Sequence, residues 1–269
     1  MINILKSKDK KSSKIAKRKL IGIKSSLTLE QLKNKIVPEL ELLEIHLRAE
    51  DFLFDEFILE RLKFAKSLNN KLKFTLHCPF YETDQEFSSL VDTKFEFFLK
   101  KYKRLIEKEK SIIGIIQHIE SRFDQKNDER IAEKNLALIK KENMMEYFYF
   151  ENTLTKLTFP FENYLNFLDR NGIKQICFDF SHYVANYFEE EFYDTLKLIT
   201  KKYKVYYHIS DNKFKSKNSF PKNLFNGNID FKKIKKYVNF GILETYSKNE
   251  IIGKEIKEDY YKLKELWNF

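Results

Sequence analysis

Residues 175–211 read QICFDFSHYVANYFEEEFYDTLKLITKKYKVYYHISD. A short apolar run, Gln175 to Asp179, gives way to a segment patterned at the helical period, Phe192 to Lys202, and then to a second apolar run, Val205 to His208. A crossover of that length allows the two runs to pair in parallel. Polar residues stand where each run stops: Asp179 and then His182 after the first, His208 and then Asp211 after the second.

The same unit recurs along the chain. Apolar runs are read at Leu20 to Ile23, Leu40 to Leu47, Leu72 to His77, Ile112 to His118, Tyr147 to Glu151, Gln175 to Asp179, Val205 to His208 and Phe240 to Glu244. Helical segments follow each, around Leu29 to Ile36, Phe54 to Ser67, Ser88 to Lys108, Asp128 to Lys141, Phe161 to Asn171, Phe192 to Lys202, Asp230 to Tyr237 and Gly253 to Trp267. Arg170-Asn171-Gly172 reads as a cationic last turn followed by a C-terminal glycine. Eight alternations predict an α/β fold, a single-domain (β/α)8 barrel over residues 20–269, after a basic, flexible N-terminal segment at 1–19. A doubly wound open sheet is the structural rival, because alternation alone does not demonstrate closure. The eightfold count favours the barrel.

Composition removes several other classes. With 42% hydrophobic residues, 26 Phe and 15 Tyr, the chain is neither disordered nor a coiled coil. A net charge of +10 would favour polyanions if it were gathered on one face. However, Lys, Asn, Ile and Phe are all abundant while Gly and Pro are scarce, the pattern of AT-rich coding DNA, and the Lys runs at Lys100 to Lys110, Lys201-Lys202 and Lys232 to Lys236 fall on helical segments as solvated faces. The six glycines lie too far apart for a dinucleotide-binding or P-loop pattern. Cys78 and Cys177 form no CxxC pair, so they read as packing thiols in a reducing compartment. The N-terminus lacks the apolar core of a secretory signal, and no run reaches the roughly 18 apolar residues of a membrane span, so the chain reads as cytoplasmic.

In such a barrel the reacting groups come from the C-terminal strand ends. All five histidines, His46, His77, His118, His182 and His208, fall at or just after one, as do Glu44, Glu151, Asp179, Asp211 and Glu244. Any one of them alone is more often structural. A ring of imidazoles and carboxylates around one mouth is another matter, since buried carboxylates need a counter-charge and a divalent metal supplies it. Mixed His and carboxylate ligands suit zinc, manganese or iron better than calcium.

Six motifs in order resemble the xylose isomerase-like TIM-barrel superfamily: His77-Cys78-Pro79, Gln117-His118, Phe150-Glu151-Asn152-Thr153, Asp179-Phe180-Ser181-His182, His208-Ile209-Ser210-Asp211 and Ile242-Leu243-Glu244-Thr245. That superfamily holds sugar isomerases and epimerases together with endonuclease IV. The resemblance implies that Glu151, Asp179, His208 and Glu244 hold a divalent metal, Mn²⁺ or Zn²⁺. It also implies that His77 and His118, with Glu151, either bind a second metal or, for His77, contact substrate. Glu151 and Glu244 become the acid/base pair of a proton transfer through an enediolate, and His182 either touches substrate or binds a third metal. His46, Glu44, Asp211 and Asn152 are the candidate substrate contacts.

The resemblance departs from endonuclease IV between the last two strands. Phe214 to Asp230 offers no His and no acid before Asp230, so the third zinc of the nuclease lacks its ligands. Asn226-Gly227-Asn228-Ile229-Asp230 instead resembles the Gly-x-Gly-x-Ile-Asp loop of isomerase-like members, with Asn228 in place of the second Gly. The expectation is therefore a metal-dependent isomerase or epimerase with a small-molecule sugar-like substrate. The alternatives are an endonuclease IV-like phosphodiesterase acting on damaged DNA and a barrel that only binds; self-association into a homo-oligomer stays open.

Overall fold

In the computed structural model, which describes residues 18–83, 86–120, 129–245, 249 and 251–269, the sheet closes on itself. Its strands are β1 (Leu20–Ser26), β2 (Leu42–Arg48), β3 (Lys73–Tyr81), the two-residue β4 (Glu86–Phe87), β5 (Ile112–His118), β6 (Phe148–Glu151), β7 (Gln175–Asp179), β8 (Lys204–Ile209) and β9 (Phe240–Leu243). All but β4 pair in parallel around a ring. β9 pairs with β1 through Ile23 and Leu243, β1 with β2, and β2 with β3, which excludes the open-sheet rival. β4 folds back antiparallel on the end of β3. Most of the basic segment expected at 1–19 lies outside the described residues.

The surrounding helices are α1 (Leu29–Lys35), α2 (Asp55–Leu68), α3 (Phe95–Lys108), α4 (Glu129–Lys141), α5 (Phe161–Arg170), α6 (Phe180–Val184), α7 (Glu189–Lys202), α8 (Phe231–Ile234) and α9 (Lys254–Trp267). Each turns an apolar stripe to the barrel. On α3 that stripe is Phe95, Phe98, Leu99, Tyr102, Leu105 and Ile106, each worth about 1.5–3 kcal/mol when buried. Inside the barrel a smaller cluster, Leu42, Ile116, Tyr149, Cys177, Tyr206 and Ile242, plugs the floor. Strand spacing depends on Gly241, where a Cβ would meet the carbonyl oxygen of Tyr207 at 2.2 Å. Among the described residues no helix is long and apolar enough to cross a membrane.

Three helices differ from the sequence reading. The helix expected from Ser88 begins only at Phe95, because Ser88 N–H donates to Pro79 O and Leu90 N–H to His118 O, which straps residues 88–90 across the barrel mouth. The helix expected over Asp230 to Tyr237 is a single turn, α8. The five-residue α6 was unforeseen; it is nucleated by Asp179, whose carboxylate accepts from His182 N–H at 2.8 Å.

Parallel register places the polar residues on one level. His46 lies opposite His77, His118 opposite Glu151, and Asp179 opposite His208. Strands that stop together thus build a polar layer above the apolar plug.

Candidate active site

Four neighbouring strands each contribute one group to the centre of that layer. Glu151 ends β6, Asp179 ends β7, His208 stands near the end of β8, and Glu244 follows β9. His208 Nδ1 lies 3.4 Å from Glu151 Oε1, 3.7 Å from Asp179 Oδ2 and 2.6 Å from Glu244 Oε2. One ligand atom from each of the four falls within 4.8 Å of the others. His208 Nδ1 and Glu244 Oε2 are buried and make no hydrogen bond despite this closeness. Three carboxylates and one imidazole gathered this closely are hard and borderline donors suited to a divalent cation.

Glu151 is the hub of a wider ring. Its Oε2 lies 3.4 Å from His77 Nε2 and 3.3 Å from His118 Nε2, and its Oε1 lies 3.8 Å from His182 Nε2. Asp179 uses Oδ1 to cap α6 and to accept from Ser181 Oγ at 2.8 Å, which turns Oδ2 towards the cluster. Phe87, carried in by β4, packs its ring 4.6 Å from that of His77 and 4.9 Å from that of His118. A cavity of about 500 Å³ opens over these groups, walled by His77, His118 and His182 on one side and by Phe87, Phe220 and Pro221 on another.

Beneath the cluster, Glu44 Oε2 faces His208 Nε2 at 3.2 Å and accepts from Tyr206 O–H at 2.9 Å, with Thr75 a further 2.9 Å beyond. The carboxylate behind the imidazole orients the ring so that Nδ1 faces the cluster. Burial works against charge at Glu151, but His208 and His118 hold its carboxyl well below the usual range. Burial likewise opposes charge at Glu244, where Lys24 and His208 hold the carboxyl low. His208 is raised well above an ordinary histidine: burial disfavours its charge, but Cys177 and the carboxylates of Glu244, Glu44 and Glu151 outweigh it. Cys177 is itself kept a neutral thiol by burial, so the carboxylates are the physical cause. The raised His208 ring thus supplies positive charge among the carboxylates.

Lys24 escaped the sequence reading. It sits near the end of β1 with Nζ 2.7 Å from Glu244 Oε1 and 3.6 Å from Glu44 Oε1, and these carboxylates raise its pKa against the effect of burial. The signal was the one used for the histidines, a polar residue just after an apolar run. In a chain with so many lysines that signal does not stand out.

The four candidate substrate contacts divide. His46 lines a cavity beside the cluster, and burial, with Lys24 and His77 adding to it, pushes its pKa down to about 3, leaving a neutral imidazole. Glu44 lies behind His208 and faces neither cavity. Asn152 clamps the end of β7, accepting from Asp179 N–H at 2.7 Å and donating to Asp179 O. Asp211 accepts from the backbone N–H groups of Asn212, Gly227 and Ile229, pinning the loop before α8. Where strands stop, main-chain groups need partners too, and these side chains serve them.

No family model and no curated protein matches the chain. Solved structures do match it. A xylose isomerase domain protein from Planctomyces limnophilus is 12% identical with a TM-score of 0.65, covering 93% of this chain and 96% of its own. The chain has the xylose isomerase-like TIM-barrel fold. The 3-keto-D-glucoside 4-epimerase YcjR from E. coli shares that fold at 15% identity and a TM-score of 0.60, covering 92% of this chain and 100% of its own. A xylose isomerase-like TIM-barrel protein from Mycobacterium smegmatis, solved in complex with magnesium, matches at 12% identity and a TM-score of 0.58, covering 89% of this chain and 87% of its own. At these identities the likeness is one of fold.

Proposed function

We propose that this protein is a divalent-metal-dependent isomerase or epimerase acting on a sugar or sugar-like small molecule. The observation that carries the reading is the convergence of Glu151, Asp179, His208 and Glu244, one ligand atom from each within 4.8 Å of the others, with His208 Nδ1 and Glu244 Oε2 buried and without a hydrogen bond. Mn²⁺ or Zn²⁺ suits this donor set, and His77 and His118 with Glu151 offer a place for a second ion. A metal held there would supply Lewis acidity towards adjacent carbonyl and hydroxyl oxygens of the substrate, which would acidify the proton on the hydroxyl-bearing carbon.

The chain's own residues move that proton. Glu151 and Glu244 arrive from β6 and β9, and each has one oxygen fixed by cationic or imidazole neighbours, Glu151 by His77 and His118 and Glu244 by Lys24. One carboxylate withdraws the proton and the other returns it on the opposite face. His182, at the rim of the cavity, holds a substrate oxygen. Phe87 and Phe220 give the sugar an apolar wall and exclude water.

The nuclease reading has less support. Asp230, the acid of the segment after Phe214, caps α8 by accepting from Lys232 and Lys233 N–H, so it is spent on the fold. The test offers metal-loaded protein a panel of ketoses and aldoses in D₂O and, separately, an abasic-site duplex. Deuterium entering at a sugar carbon, and lost in Glu244→Gln, is the expected result. Duplex cleavage lost in His118→Ala, with no exchange into any sugar, would replace the isomerase with a phosphodiesterase.

A further inference from the structure

One wall of the cavity over the cluster belongs to β1. Leu20 packs on the apolar plug inside the barrel, and Lys24, four residues on, shares its side of the strand. Parallel register sets Lys24 directly across from Glu44, so the two side chains rise on the same face. Lys24 thereby joins the lining of the cavity of about 500 Å³ together with His77, His118, Glu151 and His182. Among the described lining residues it is the one lysine or arginine.

Its ammonium is only partly spent on the neighbouring carboxylates. A lysine ammonium carries three N–H groups. Glu244 Oε1 accepts from one at 2.7 Å, whereas Glu44 Oε1, at 3.6 Å, is an ion-pair contact beyond hydrogen-bond length. Among the described residues Nζ meets no other acceptor within that length. Glu244 meanwhile divides its oxygens, Oε2 standing 2.6 Å from His208 Nδ1 and Oε1 holding Lys24. The ammonium is therefore fixed beside the metal-binding donor set without occupying it. The Lys24 side chain is 15% exposed, with Nζ 5.9 Å from the centre of the Phe87 ring, and a charge kept from bulk water in this way acts more strongly. A counter-ion alone would need neither spare N–H groups nor a place on the cavity wall.

We propose that Lys24 is a catalytic residue, its ammonium donating to the substrate oxygen on which negative charge develops as the carbon-bound proton leaves. The proposal rests on the isomerase reading and deepens it by adding the group that holds the enediolate. When a carboxylate removes the proton from the hydroxyl-bearing carbon, the C–H electron pair becomes the carbon–carbon double bond and the carbonyl π pair moves onto oxygen. Return of the proton to carbon reverses both shifts, and the Lys24 protons stay on nitrogen throughout. The substrate class is an α-hydroxy aldehyde or ketone, placed with its carbonyl oxygen towards β1. A donor fixed before the charge appears stabilises it without reorganising, and loss of one such donor costs about 10²–10³ in kcat.

Calorimetric titration of the metal-loaded full chain with D-threonohydroxamate, a planar mimic that carries the charge of the enediolate when bound, and with its neutral counterpart D-threonamide tests this. Lys24→Met should weaken the hydroxamate at least about tenfold and leave the amide within about twofold, with metal content unchanged. In the deuterium assay the same variant should lower kcat about 10²–10³-fold while KM changes far less. Lys24→Arg keeps a cation beside both carboxylates but moves its N–H groups, which covers the case of Lys24→Met failing to fold: it should retain metal and still bind the hydroxamate at least about threefold more weakly. Wild-type hydroxamate affinity in Lys24→Met, or in Lys24→Arg where Lys24→Met does not fold, overturns the proposal. Loss of metal from folded Lys24→Met overturns it too, because Lys24 would then act through Glu244. If a sugar exchanges deuterium equally well with wild type and Lys24→Met, the role of Lys24 fails and the isomerase stands. If hydroxamate binding depends on Lys24 but no sugar exchanges deuterium, the oxygen contact stands and the isomerase fails.

Discussion

Single side chains separate two jobs at this barrel mouth, meeting a ligand and finishing the fold. Glu44 belongs behind His208, so Glu44→Gln should weaken metal binding about 10- to 100-fold without abolishing it, read by competition against a chelating dye. Unchanged affinity would show that the Glu44–His208 contact does not orient the ligand. Asp211 belongs to the loop before α8. Asp211→Ala orphans the N–H groups of Asn212, Gly227 and Ile229 and should cost roughly 1–3 kcal/mol, seen as a lowered Tm. A variant of full stability with only a raised KM would instead make Asp211 a substrate contact. Proton linkage provides a third expectation. Glu151 and Glu244 have folded pKa values below their unfolded ones, so their contribution is present above about pH 4.3 and lost as pH falls below it. His208 is raised, so its contribution to the metal-free protein is complete below about pH 6.5 and lost as pH rises through its folded pKa. Metal at pH 7 must displace that proton, and titration in weak buffer should release about one proton per ion bound. Binding with no proton release would contradict the charged His208.

Among the elements, the strands were the most legible part of the sequence. β5 and β7 begin and end where their apolar runs do, because a strand buried on both faces leaves no polar residue inside the run. The segment before α3 was illegible for the opposite reason: Leu90 and Val91 are buried as a helix would bury them, but the segment is held by backbone bonds from Ser88 to Pro79 and from Leu90 to His118 that no local pattern encodes. Likewise Lys24, Glu44 and Asn152 look alike in sequence as polar residues near strand ends, and only the neighbouring strand determines whether each faces the cavity, a histidine or a main-chain amide. Tight strand contacts are testable at this scale. Gly241→Ala drives a Cβ onto the Tyr207 carbonyl, and overpacking of this kind costs about 1–3 kcal/mol, a fall in Tm of roughly 2–12 °C. A variant melting with wild type would mean that β8 and β9 can part without penalty.

For the whole molecule, the barrel places four negative side chains within a few ångströms, and folding tolerates this because Lys24 and His208 lie among them. A cation that binds the folded state alone must then stabilise it, by about 2.7 kcal/mol at a hundredfold excess over Kd. The proposed chemistry depends on that ion. Elemental analysis of protein purified without chelator, wild type beside a Glu151→Ala, Asp179→Ala double variant of equal fold, tests it most directly. One or two equivalents of a divalent transition metal in the wild type, lost from the double variant, is the predicted result; a wild type that holds no stoichiometric metal, even after incubation with Mn²⁺ or Zn²⁺, would contradict it.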